Sequence, residues 1–252
     1  MLPVSSSGAD GRDLVRHQVG FSIAEEARGV FRTGIGSAGP VQDGAHDPRG
    51  VVITRGRCIH LRTMTLSDLE ELSRWADDAH LSRMVGSELL QVYKDVYEKD
   101  ASFYDALLVD TTQIVFMIVA NANPVRPVGL VRLFNIHQSE GYAGIETILG
   151  DRRASRQGYG VQASRLMAYY GADVLGLRRF EAKAYEYNPL SINTLKRNGF
   201  THEGTLRKAS WRDGRYWDIL VFGLLRHEME EQRRKDRYLL PPDGEGGLSE
   251  SS

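Results

Sequence analysis

The chain has little of what marks an unusual environment. A single cysteine, Cys58, stands among 252 residues. One thiol excludes an internal disulfide, and such scarcity fits a reducing compartment. Cys58 falls in a strand-like stretch and is expected to be buried. The seven histidines are scattered, with no His-x₃-His pair and no cysteine partner at ligand spacing, so no metal is expected. Long apolar runs are missing too: the longest, such as residues 114–120, fall far below the roughly 20 residues that cross a bilayer. No basic segment followed by an apolar run opens the chain, so no signal peptide is expected. The formal charge of −1 gives no global field toward nucleic acid or an anionic membrane. These absences leave a soluble cytoplasmic protein as the expectation, with neither nucleic acid nor membrane as partner and a monomeric or homodimeric state.

Lysine is absent from residues 1–50, which hold nine glycines and few apolar residues in any periodic order. Such a stretch buries too little surface to offset the entropy of ordering it, so 1–50 is expected to be a disordered glycine-rich tail. Its Gly34-Ile35-Gly36-Ser37-Ala38-Gly39 spells the dinucleotide fingerprint. That motif has meaning only between a buried strand and a helix, and Pro40 follows here, so it reads as tail. At the other end Arg233-Arg234-Lys235 reads as solvated, followed by Pro241-Pro242 and a Gly/Glu/Ser run; 231–252 is expected to be a flexible C-terminal tail. One domain remains, over 51–230. The chain's composition, 41% apolar and 26% charged, is sufficient for a sizeable core.

Within that domain, strands and helices alternate. Residues 56–62 read as a strand, and Thr65 with Asp68 as a capping-box variant ahead of Leu69, Leu72, Trp75 and Ala76 at helical spacing. A less regular helix covers about 92–107. Residues 113–120, 128–136 and 142–149 read as an antiparallel meander. After Gly158-Tyr159-Gly160, the residues Ala163, Leu166, Met167, Tyr170 and Val174 make one stripe of a helix, stopped at Gly176. Residues 179–185 form a strand, Asn188-Pro189 opens a helix that Gly199 stops, and 200–211 and 215–225 form a hairpin about Asp213-Gly214. The expected class is α+β: a mixed central sheet flanked by helices.

Chemistry concentrates where the strand ending at Leu149-Gly150 runs through a charged turn into Ser155-Arg156-Gln157-Gly158-Tyr159-Gly160-Val161. Glycines let backbone N–H groups approach an anion, and the following helix start adds partial positive charge. Arg153, Arg156 and the loop amides read as a pyrophosphate cradle, against the alternative of a simple tight turn. A P-loop would need Gly-Lys-Ser/Thr, which Gly160-Val161-Gln162 does not supply. About thirty residues on, Asn188-Pro189-Leu190-Ser191 caps a helix closing in Lys196-Arg197-Asn198-Gly199-Phe200. With the opening Leu61-Arg62-Thr63-Met64-Thr65 and the closing Asp213-Gly214-Arg215-Tyr216-Trp217-Asp218, these elements occur in the order and spacing of one family. The chain resembles the GNAT superfamily of acyl-CoA-dependent N-acyltransferases over about residues 57–225. Within it, the Asn-x-x-Ser form and final hairpin are most similar to the branch that acetylates ribosomal-protein N-termini.

The resemblance implies a GNAT fold in which acetyl-CoA lies in a V-shaped gap between two splayed parallel strands, here 142–149 and 179–185. Pantetheine amides would pair near Ile148, Leu149 and Gly150. The pyrophosphate would sit on the amides of Gln157, Gly158, Tyr159, Gly160 and Val161, with Arg153 and Arg156 nearby. The loop's first position, usually arginine or glutamine in the family, is Ser155. Asn188 matches a position that bonds the cofactor arm; it is equally a helix N-cap. Ser191 would point toward the sulfur, taking the place of a tyrosine that many members carry where this chain has Leu195. Glu146 is the candidate base that takes a proton from the amine, against the alternative of a solvated or ion-paired strand residue. Glu203 and Asp218 read as structural pairs. The developing oxyanion would be held by N–H groups near Ile148 and Leu149. The acceptor is expected to be a primary amine: a protein N-terminus, an amino sugar or a small amine. An aromatic set (Tyr93, Tyr97, Phe103, Tyr104) and the acids Asp95, Glu98, Asp100 and Asp105 are core or surface residues, or an acceptor lining. The other class of function open to this sequence is a non-catalytic acyl-CoA sensor.

Overall fold

A computed structural model describes residues 50–85, 89–97, 110–122 and 124–235. The expected N-terminal tail with its GxGxxG segment, and the chain beyond 235, lie outside the described residues. Eight strands form one sheet in the order β1-β2-β3-β4-β5-β6-β8-β7. They are β1 (Val52–Arg55), β2 (Ile59–Thr63), β3 (Gln113–Ala120), β4 (Arg126–His137), β5 (Tyr142–Leu149), β6 (Arg179–Tyr185), β7 (Thr201–Arg212) and β8 (Arg215–Leu225). All neighbours are antiparallel except β5 and β6, which run parallel.

β3 shows why the sheet is stable. Its sequence is apolar almost throughout because both faces are covered. Phe116, Ile118 and Ala120 point into one core, and Met117 and Val119 into the other. The first core is closed by α4 (Tyr159–Asp173), α5 (Pro189–Arg197) and α6 (Arg226–Arg234); the second by α1 (Asp68–Ala76), α2 (Ala79–Met84) and α3 (Leu89–Tyr97). The second cover reaches only as far as Ile148 of β5.

Several expectations need correction. The strand expected over 56–62 is a turn followed by β2, and β1 before it had no clear sequence signal. Gly56 lies in that turn because a Cβ there would meet the Gln162 side chain at 2.6 Å. Gln162 Oε1 accepts the N–H groups of Cys58 and Ile59, both at 3.0 Å. Cys58 therefore sits in the turn and is exposed, not buried. Thr65 and Asp68 do interact, but the carboxylate carries the motif: it accepts Thr65 N–H at 2.7 Å, Thr65 Oγ1 at 2.8 Å and both Arg62 Nη atoms. The helix expected over 92–107 begins three residues earlier as α3 and follows the unforeseen α2; residues 98–109, with Phe103 and Tyr104, lie outside the described residues.

Helix α4 is buried on nearly every side, which is why one apolar stripe understated it. Val174, assigned to that stripe, lies past the helix end and is 48% exposed. Gly176 (φ 69°) turns the chain back so that Leu177 N–H reaches Gly171 O at 3.0 Å. α6 carries the ordered chain past residue 230. Arg233, expected to be solvated, pairs with Asp173 at 2.7 Å and lies over the Tyr169 ring.

Candidate active site

The parallel pair β5–β6 is registered at three positions only: Tyr142↔Arg179, Ala143↔Phe180 and Gly144↔Glu181. Beyond Gly144 the strands separate, so residues 145–149 of β5 and 182–185 of β6 face a gap. β5 keeps its ladder to β4 as far as Gly129↔Leu149, so one edge of its second half stays paired while the other is open. Among the described residues, the backbone donors and acceptors on that edge have no strand partner. Ile148 and Leu149 lie in that stretch; Gly150 follows it, with its N–H donated to Val128 O at 2.9 Å.

At the end of β5, Gly150 has no room for a side chain: a Cβ would fall 2.0 Å from the Trp75 indole of α1. Trp75 thus lies flat on the strand end, tying the helical cover to the start of the loop. Asp151 follows and accepts Arg153 N–H at 2.8 Å and a bond from Arg126. Burial would raise the Asp151 carboxyl, but Arg126 and the Arg153 N–H outweigh it and hold it below the usual carboxylate range. Arg126 carried no sequence signal, since it falls in the segment 121–127 that reads as a turn. Together with Arg153, Gln157 and Tyr159 it lines a hollow of about 460 Å³ beside the loop.

The loop itself is shaped for an anion. Arg156 and Gly158 both take positive φ (65° and 81°), a strained choice for arginine that is common at functional sites. Alternation of this kind turns successive N–H groups to one side. The N–H of Gln162, donated to Gly158 O at 3.0 Å, falls one turn into α4. Tyr159, Gly160 and Val161 form its first turn, whose N–H groups have no intrahelical acceptor. The space around Gly158 is open, with nothing within 4 Å of a Cβ there. Arg153 and Arg156 are exposed at the rim. Thr147 Oγ1 and Ser164 Oγ, 2.8 Å apart, fix α4 against β5.

Across the gap, α5 starts at the tip of β6. Asn188 is buried, and its Oδ1 accepts Ser191 N–H at 3.1 Å, so the N-cap role is realised. Its Nδ2 donates to Met84 O at 3.0 Å, and Tyr187 Oη donates to Arg83 O at 3.1 Å. These two bonds hold the end of α2 over the open end of the gap. Ser191 is half-buried on the first turn of α5. Leu195 is turned into the core. The far end of α5 is clasped by the buried Arg165 of α4, whose Nε donates to Asn198 Oδ1 at 3.0 Å and Nη2 to Arg197 O at 2.8 Å.

Glu146 lies on β5 two residues past the last parallel pair, on the face that α3 covers. It is ion-paired: Arg132 Nε and Nη2 both reach its Oε2 at 2.8 Å. Its Oε1 has no bond among the described residues. Tyr93 of α3 is buried close by, and burial pushes its phenol up to about 12, eased by Arg132 and reinforced by Asp110 and Glu146. Of the acids weighed as an acceptor lining, Asp95 accepts Gln91 Nε2 at 2.8 Å on the surface, and Glu98, Asp100 and Asp105 lie outside the described residues. Glu203 pairs with Arg179 at 2.6 Å, and Asp218 accepts Lys208 N–H at 2.7 Å, both structural as expected.

A mixed sheet whose one parallel pair parts beside a glycine loop, with helices on its faces, defines the fold class. Residues 59–201, more than half of the chain, match the family described as Acetyltransferase (GNAT) domain. The chain belongs to that family of acetyltransferases. It is 26% identical over 179 residues to an uncharacterised N-acetyltransferase, p20, of Bacillus licheniformis, spanning 67% of this chain and 93% of that one. It is 28% identical over 180 residues to alpha/beta-tubulin-N-acetyltransferase 9 of Mus musculus, spanning 64% and 73%. Among solved structures, a spermidine N-acetyltransferase from Vibrio cholerae in complex with CoA and spermine superposes with a TM-score of 0.57 at 18% identity, over 68% of this chain and 98% of that chain.

Proposed function

We propose that the protein transfers an acetyl group from acetyl-CoA to a primary amine by direct attack within a ternary complex. The observation that carries this reading is the gap itself: β5 keeps its β4 ladder through Leu149 while its other edge loses β6 after Gly144. A ligand with amide groups and a terminal diphosphate fits this arrangement, since the open strand edge leads into the positive-φ loop and the first turn of α4. Ile148, Leu149 and Gly150 would hold its amides, and Gln157, Gly158, Tyr159, Gly160 and Val161 its diphosphate. Arg126 joins Arg153 and Arg156 at the rim, supplying the charge that Ser155 does not. Bound acetyl-CoA supplies the activated acyl carbon and a thiolate leaving group.

The chain's own residues then have separate tasks. An ammonium has no lone pair, so a proton must leave before the amine attacks. Glu146 takes that proton through Oε1, while Arg132 fixes the carboxylate through Oε2. The N–C bond forms and the C–S bond breaks; the thiolate gains a proton from Ser191 or from water, and that donor is restored by the second proton shed from the acylated nitrogen. Asn188 positions Ser191 and keeps α2 in place over the gap. The relatives named for N-acetylation favour turnover over an acyl-CoA sensor. The test is calorimetry with CoA and acetyl-CoA, together with thiol release across an amine panel of peptides, aminoglycosides, polyamines and nucleotide amino sugars. Affinity with turnover of one amine class is expected; affinity without release from any amine would leave the sensor, and no affinity would overturn both.

A further inference from the structure

The uncovered face of β6–β8–β7 carries a charge arrangement that acetyl transfer does not itself require. Arg212 and Arg215 are the last cross-strand pair of the hairpin. Their turn, Asp213-Gly214, has both residues at positive φ (52° and 77°), the two-residue form that sets strands squarely opposite each other. Two like charges face each other as a result, which destabilises a strand pair. A third guanidinium, on Arg83 of α2, reaches the same tip and takes Asp213 at 2.6 Å. Among the described residues Arg212 and Arg215 have no carboxylate partner. Strand alternation turns two other acids of this arm, Glu186 and Asp218, to the opposite side, where both accept backbone N–H groups.

These arginines connect to the transfer site. Arg215 lies over the Trp217 indole, 3.3 Å from its centre. Trp217 meets Tyr187 edge-on at 4.9 Å, and Tyr187 stacks on Tyr185 at 5.0 Å. Tyr187 directly precedes Asn188. An aromatic wall therefore runs from the gap to a cationic tip, across a surface where every residue of β7 is exposed or half-buried.

We infer that Arg212 and Arg215 form an acceptor subsite for carboxylates, and that the acceptor is a polypeptide with acidic side chains a few residues beyond its reactive amine. The inference rests on the amine-transfer reading above. An incoming carboxylate relieves the facing charges and matches the guanidinium fork. The open surface with an aromatic flank suits an extended chain, whereas small metabolites take concave sites. A polycation meets charge of its own sign at the tip, which selects against it.

The test uses the full chain with acetyl-CoA and thiol release. Three acceptors are compared: a peptide with a free N-terminus and glutamates at its third to fifth positions, the same peptide with glutamines, and spermidine. The expected KM for the acidic peptide is about tenfold below that of its glutamine counterpart, with the gap closing as salt rises. In an Arg212→Ala/Arg215→Ala variant the gap falls within about twofold while CoA affinity by calorimetry stays put; in Arg212→Glu/Arg215→Glu the preference inverts. Equal KM values for the two peptides, or a gap that survives in the alanine variant, overturns the subsite. Turnover of spermidine with neither peptide accepted also overturns it and leaves amine transfer standing. Absence of both CoA affinity and thiol release removes the transfer reading and the subsite together.

Discussion

The two halves of the sheet are built under different rules. From β3 to β5 the sheet is sandwiched, with α4 on one face and α1–α3 on the other, and each of these strands puts apolar residues into both cores. From β6 to β7 the described residues cover only the α4 face, and β7 is exposed along most of its length. Three residue pairs join the halves before the strands part. The covered half spends its side chains on packing and presents a rigid strand edge. The open half spends its side chains on the surface, where Tyr185, Tyr187, Trp217 and Arg212 are half-buried and Arg215 is exposed. The proposed site lies along the seam, where, among the described residues, a strand inside the sheet keeps one neighbour and loses the other.

The comparison can be broken most directly at the seam. Phe180, fully buried beside the parallel pairs, contributes to the core that both halves share. Phe180→Ala is expected to cost about 3–5 kcal/mol, read as a fall in denaturant midpoint with an unchanged slope. A loss below about 1 kcal/mol would mean that the halves fold without leaning on each other. Next in size is an effect on rate. Glu146→Gln keeps the bond to Arg132 but removes the base, so kcat should fall about 100-fold while CoA affinity is unchanged. An unaltered kcat would reduce Glu146 to a structural partner of Arg132.

Gly150→Ala sets a methyl group against the Trp75 indole and is expected to cost about 1–3 kcal/mol. It should also weaken CoA binding, since the strand end and the loop shift together; Trp75→Ala/Gly150→Ala should recover part of the affinity. The pH dependence sharpens the picture of the loop. The Asp151 carboxyl is held below its ordinary range, so its contribution is present above the unfolded pKa and is lost as pH falls through the folded value. Melting curves of wild type and Asp151→Asn should therefore differ at neutral pH and converge below about pH 4. The smallest effect belongs to the open half: Leu206 is 45% exposed, and Leu206→Ala should stay within about 0.5 kcal/mol of wild type. A larger loss would show that something covers β7.

Much of this was legible in the sequence where local rules suffice. The bounds of β3, β5, β6, β8 and α5 follow from the continuous β-rich run of β3, from alternation, from Asn188-Pro189 and Gly199, and from the Asp213-Gly214 turn. The glycine loop and its helix likewise stood out. Less legible were α2, whose six residues are too short for a periodic signal, and β1, which is recognisable only by its pairing with β2. Cys58 was misread because residues 56–62 look like a single strand until Gln162, more than a hundred residues away, fixes a turn there.

The order of elements, the glycine loop, the capped helix and the hairpin turn are written in the chain itself, because each depends on φ/ψ preferences and hydrogen bonds between near neighbours. The parting of β5 from β6, the pairing of one Glu146 oxygen with Arg132, and the bonds from Tyr187 and Asn188 to α2 were decided only by tertiary structure. Those features depend on which distant backbones meet and which do not, and no local preference specifies that.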